Sequence, residues 1–227
     1  MSISSALSNA LSGLGAASRG AAVTSSNLAN ALTEGYAPRS LELGANSATS
    51  GVSVLGVHRN VDAGLLGDKR LATAETAFAQ TQATFTESLA TEIGSTTDKT
   101  SLAGRVAAFE ASLVTAASRP DQPTRLDAAV DAAREIVNKF NRISDRIQTL
   151  RSAADLEISQ AVKTINTSLQ KLQTMNEKIV AAQARGQPTA GLMDQRQVLT
   201  DQLSEYVPLR QVSRDNGAVA LFTTGGV

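Results

Sequence analysis

The chain has no cysteine and no tryptophan, a single histidine, five Phe and two Tyr. The missing cysteines exclude disulfides, thiolate nucleophiles and every metal site built on sulfur. The lone His58 has no second His and no convincing acidic cluster near it in sequence. It is therefore read neither as a metal ligand nor as a catalytic base, and no metal or cofactor is expected. With aromatics this sparse, the apolar content rests on Ala, Leu, Val and Ile, and small aliphatics at helical spacing suit narrow helix-to-helix seams. Neither sign of charge dominates: 21 Lys and Arg balance 21 Asp and Glu, which leaves no basic field for nucleic acid or an acidic membrane. No run approaches the roughly 20 apolar residues that a membrane span needs. The opening MSISSALSNALSGLG interrupts its leucines with serines and lacks a basic flank, so it does not read as a cleaved signal peptide. The expectation is a soluble chain, or one exported by a route that needs no such peptide.

What is present is helical periodicity. Over residues 1–39 the apolar positions recur three and four apart, and Leu7, Leu14, Ala21 and Leu28 fall seven apart on one face, a heptad-like stripe. The opposite face is Ser, Asn and Gly. Gly13, Gly15 and Gly20 each weaken helix propensity by about 1 kcal/mol relative to Ala, so a helix is expected there only when a partner covers the stripe. An amphipathic helix docked on its own domain remains the plainer alternative. The pattern stops at Thr33-Glu34-Gly35-Tyr36, where Gly35 suits a left-handed turn and Pro38 forbids helical continuation. Residues 40–61 read as a connector of loop and short strand.

The helical period then resumes for a bundle over residues 62–208. A helix from about 62 to 94 carries Leu66, Ala74, Phe78, Phe85 and Leu89 on one face, and a shorter one over 102–117 turns Val106, Phe109, Leu113 and Val114 inward. Thr124 with Asp127 marks the start of a stretch free of Gly and Pro as far as residue 185, a rod of roughly 90 Å. On its wet face Glu135 and Lys139 have favourable i,i+4 spacing. Gly186 and Pro188 end the rod, and a short helix follows over 192–206 with Leu199, Leu203 and Val207 inward. Residues 209–227 read as a β-hairpin with a type I′-compatible Asn216-Gly217. The fold class is thus mainly α: a long antiparallel helical bundle with coiled-coil character, a small β-hairpin, and an N-terminal helix that orders on assembly.

Two features invite a chemical reading and neither holds it. Asp194-Gln195-Arg196 fan out from a helix rather than converge, which suits a helix start facing solvent better than catalysis. Asn27 and Asn30 share one side near a helix end, where amides either set register between chains or cap locally.

Ser25-Ser26-Asn27-Leu28-Ala29-Asn30 followed by Thr33 and Gly35-Tyr36 closely resembles the signature of the axial proteins of the bacterial flagellum, its rod, hook and hook-associated proteins. Arg119-Pro120, Asn166, Asn176, Leu192-Met193-Asp194-Gln195-Arg196 and Asp215-Asn216-Gly217 are similar to the hook-filament junction branch of that family. The pattern departs at Ser26, Leu32 and Glu34, and Pro38 displaces its basic residue to Arg39. The resemblance implies a structural subunit, not an enzyme, that self-assembles through terminal coiled-coil segments and sits outside the cell in the flagellum. It implies an assembly interface at Leu7, Leu14, Ala21, Leu28, Asn27, Asn30, Thr33, Gly35 and Tyr36. The implied partners are further copies, the hook protein, a second junction protein and an export chaperone for a missing C-terminal part, with no nucleic acid and no membrane. Since the resemblance implies a terminal heptad helix that nothing after Val227 supplies, the chain is expected to be truncated. Two alternatives remain: a hook or rod subunit, and an extracellular helical binding protein or enzyme, which would need converging His or carboxylates.

Overall fold

The structure, a computed structural model, describes residues 3–46 and 51–225; the outermost positions of the 1–39 and 209–227 segments and part of 40–61 lie outside them. In chain order the elements are α1 (Ile3–Ala29), β1 (Arg39–Asn46), β2 (Gly51–Arg59), α2 (Ala63–Ile93), α3 (Leu102–Ser118), α4 (Pro123–Ala184), α5 (Ala190–Ser204), β3 (Leu209–Ser213) and β4 (Val219–Thr223). They divide into two compact units, Met1–Glu75 with Thr164–Val227, and Thr76–Lys163.

In the first unit, the expected connector is an antiparallel hairpin, β1 against β2, with Arg39 opposite Arg59 at its base. Strand pairing slips between Glu42 and Leu43, where Leu55 is the extra residue of a bulge. That bulge leaves the valine alternation incomplete, so the sequence reads as loop and short strand and not as a full hairpin. Helix α1 lies on this hairpin by its small, polar face. Ala16 is its one buried residue, the Ser12 hydroxyl accepts from the Val52 amide at 3.1 Å, and Gly20 comes within reach of Leu41. The leucine stripe points away: Leu7, Leu11, Leu14 and Leu28 are all exposed, Leu14 at 68% and Leu28 at 79%.

The same unit holds the main core, in which Leu172, Leu203, Leu209 and Val219 pack together with Ile165, Val207 and Leu221 around them. Polar bonds fix the pieces. Asn176 reads the β4 backbone like an added strand, donating to the Val219 carbonyl at 2.9 Å and accepting its amide at 3.2 Å. Buried Arg70 at the start of α2 donates to Asp201 at 2.6 Å and to Gln211 at 2.9 Å. The β3–β4 turn is not the two-residue type I′ form. Arg214 and Ala218 close a three-residue loop in which Gly217, at φ 77°, supplies the left-handed residue. A side chain at Gly217 would strike Gln183.

In the second unit, α3 runs antiparallel to the first turns of α4, tied by Arg105 to Glu135 at 2.5 Å near one end and by Arg125 to Ser118 at 2.7 Å near the other. Lys139 donates to Glu92 of α2 at 3.2 Å. Glu135 and Lys139 therefore do not form the expected pair along one helix; each reaches a neighbouring helix instead, and Lys139 is buried. The inward assignment of α3 is also corrected. Ala116 is buried and Phe109 half-buried, while Val106, Leu113 and Val114 are exposed, the last at 72%. Phe78, Phe85, Val137, Phe140 and Ile158 are exposed as well, although their spacing marks a seam. Periodicity identifies a stripe, but a stripe is buried only where a neighbouring helix lies over it. Helix α4 opens at Pro123, whose missing amide costs nothing in a first turn.

The loop before α3 is a hydrogen-bonded cap. Asp98 accepts from the Thr100 amide and hydroxyl, both at 2.8 Å, and buried Ser101 caps α3 by accepting from Gly104 at 3.0 Å. Bonding to the Thr100 backbone, then to its side chain, lowers the Asp98 pKa from 3.8. Depression in the folded state means that this loop contributes stability above the ordinary Asp range and loses it as pH falls through the lowered value. An NMR titration should place the Asp98 carboxyl below 3.8; a value at or above it would contradict the cap.

Candidate assembly site: the elbow and its anchor

Helix α1 ends at Ala29 and the chain turns through residues 30–38 before β1. Gly35 makes the turn with φ 73°, and space demands glycine as strongly as conformation does. A Cβ there would collide with the Val198 methyl and lie 3.2 Å from the Asp194 carbonyl of α5.

The amide of Asn27 holds the bend from inside. Its carbonyl oxygen accepts from the Tyr36 hydroxyl at 2.8 Å and the Arg39 backbone amide at 3.0 Å, and its nitrogen donates to the Arg39 carbonyl at 2.8 Å. Asn30 donates to the Ser26 carbonyl at 2.9 Å, and its oxygen faces the Thr33 hydroxyl at 3.4 Å. Both amides are thus engaged locally. The Arg39 guanidinium stacks 4.9 Å from the Tyr36 ring centre, and its Nη2 donates to Asp194 at 2.8 Å. Arg59 donates through Nε to the other oxygen of Asp194 at 2.6 Å and through Nη2 to Gln197. The Ala37 amide completes the set at 3.3 Å. One carboxylate on α5 therefore gathers both arginines at the hairpin base and the elbow backbone.

This corrects the solvent-facing reading of Asp194-Gln195-Arg196. Asp194 and Arg196 are both buried, and they serve two separate networks. Arg196 donates to Asn176 at 3.0 Å and to the Gly217 carbonyl at 2.7 Å, fastening the β3–β4 turn. Burial, then the nearby charge of Arg59, pulls its pKa below the usual arginine value. Fanning out was read correctly from the spacing. What the sequence concealed was that two faces of α5 are covered, one of them by Arg39 and Arg59, which the hairpin register places opposite each other.

The expected interface residues fall into two groups. Asn27, Asn30, Thr33, Gly35 and Tyr36 come together as the elbow, whereas Leu7, Leu14, Ala21 and Leu28 line the exposed side of α1. Beside the elbow lies a cleft of about 930 Å³ between α1, the hairpin base and the turn joining α4 to α5. Among the described residues no cluster of three or more His, Cys, Asp or Glu is placed to hold a metal, His58 is exposed, and no helix is long and apolar enough to cross a membrane.

Replacing Asp194 with Ala leaves two half-buried arginines without their shared acceptor, at a cost of about 2–4 kcal/mol. The Tm of the variant should fall, and trypsin should cut after Arg39 and Arg59 far faster than in the parent chain. An unchanged digestion pattern would show that the anchor does not hold the elbow.

Comparison with known proteins places the chain in a family. Residues 88–227 match the family described as the flagellar hook-associated protein FlgK helical domain. The chain is 24% identical over 234 residues to flagellar hook-associated protein 1 of Escherichia coli strain K12, covering 99% of this chain and 42% of that protein. To the protein of the same name from Bacillus subtilis strain 168 it is 24% identical over 218 residues, covering 89% and 43%. The chain thus spans about four-tenths of the length of these curated relatives. The solved structure of the flagellar hook junction protein FlgK from Burkholderia pseudomallei shares the fold, with a TM-score of 0.62 and 22% identity over 70% of this chain and 28% of that one. With the elbow, the long α4 and the β3–β4 hairpin in place, the chain belongs to the flagellar hook-associated protein FlgK family.

Proposed function

We propose that this chain is a structural subunit of the hook-filament junction, assembling helically through the exposed face of α1. The observation that carries the reading is the orientation of α1, whose small polar face is used within the chain while its leucine stripe is bare. A helix docked by Ser, Ala and Gly gains little from that contact. Each leucine buried against a neighbour contributes about 1.5–3 kcal/mol, so the stripe is where most of the stabilisation of α1 is to be had. Coiled-coil pairing with a second terminal segment meets that need. Further copies, the hook protein and the second junction protein are the proposed neighbours. An export chaperone as a further partner, and export before assembly, fit an N-terminal helix that is only weakly held until it joins the assembly. The elbow residues act one step back from this contact by setting the direction in which α1 leaves the body of the subunit.

The test is substitution of Leu14 or Leu28 by Asp. The isolated variants should keep the circular dichroism of the parent, because neither leucine is buried, yet be absent from the hook tip in purified flagella. Normal incorporation of both would refute the assignment of the seam.

A further inference from the structure

We propose that the elbow of one subunit seats in the cleft of a second copy of the same chain, with Leu32 entering its apolar floor and Glu34 meeting Arg19. The inference rests on the reading of the chain as a self-assembling subunit and specifies a contact distinct from the leucine stripe.

The knob is Leu32, in the turn after α1 and exposed at 101%, as in an extended chain. Glu34 stands two residues on, also exposed, with no ion pair among the described residues. Neither is loosely held: the turn that carries them is closed by Asn27 on Tyr36 and Arg39 and lies against Val198 at Gly35. An apolar side chain presented on a pinned turn loses little freedom on docking.

The receiving cleft has the complementary character. Val23, Leu41, Val57 and Met193 give it apolar walls, Arg19, Arg39 and Arg59 give it positive charge, and no Asp or Glu lines it. Arg39 and Arg59 already share Asp194. Arg19 of α1 is exposed and has no ion pair among the described residues, which leaves it as the cation for an incoming carboxylate. The apolar knob and the basic cleft are different patches of one chain. Where knob and cleft belong to successive copies the contact is heterologous, and its repetition gives a ring or a helical array, whereas a reciprocal exchange would stop at dimers.

The absence of cysteine makes the test clean. Flagella from cells whose only copy of the protein carries Leu32→Cys and Val57→Cys should give, on oxidation, a ladder of dimers and higher multiples of this chain. Either cysteine alone should give none. Separately, Arg19→Glu and Glu34→Arg should each lower incorporation by about tenfold, as for a pair of opposed charges lost from an interface, and the two together should restore it. Both residues are exposed, so the single variants should fold as the parent does. Normal incorporation with no ladder, a dimer from Leu32→Cys alone, or a cross-link to a different axial protein would overturn this interface and leave the assembly reading standing. Absence of the unsubstituted protein from the junction would remove both.

Discussion

The first unit depends on one carboxylate. Asp194 receives Arg39, Arg59 and the Ala37 amide, so two separated stretches of chain converge on a single turn of α5. An unpaired charge in that position would be costly, and two arginines without it would be equally so. The arrangement therefore works as a condition: α5 must be formed, and the hairpin base must be zipped in register, before the charges can be satisfied. Because Asn27 grips both backbone groups of Arg39, the same condition reaches α1. The direction of the N-terminal helix is set by a buried ion-pair cluster more than 150 residues away in sequence.

Helix α1 is thus well aimed and weakly held. Ordering 27 residues costs on the order of 1 kcal/mol each in backbone entropy. Against this stand helical hydrogen bonds, one buried alanine and a few polar contacts with the hairpin. Three glycines lower the propensity further. A soluble domain normally reverses this design by turning leucines inward and serines outward. On the proposed function, the apolar face is the one a neighbour covers, and the elbow sets its direction.

Much of this was legible in the residues. The elbow was readable from Gly35 and Pro38, because a left-handed glycine beside a proline has few other uses, and α4 from the long absence of Gly and Pro. The β1–β2 hairpin was obscured by its bulge at Leu55, which shifts the alternation that betrays a strand. The type of the β3–β4 turn was misread because Asn-Gly serves more than one turn geometry. The Asp194 anchor was invisible for a different reason. An acidic residue near a helix start is usually solvated, and only tertiary structure tells that two arginines from a distant hairpin lie over it. Exposure along α3 and α4 likewise follows from which helices cover which faces, a matter that periodicity does not decide.

The proposed function links local geometry to assembly through order: the anchor and core are satisfied within the chain, whereas the leucine stripe of α1 is left exposed. Hydrogen exchange measured on the free subunit and on the subunit within intact flagella addresses this most directly. Amides of α5 and the β3–β4 hairpin should be protected in both, whereas those of α1 should exchange rapidly in the free subunit and become protected on assembly. Equal protection of α1 in the two states would contradict the claim that its stripe is completed by a neighbour.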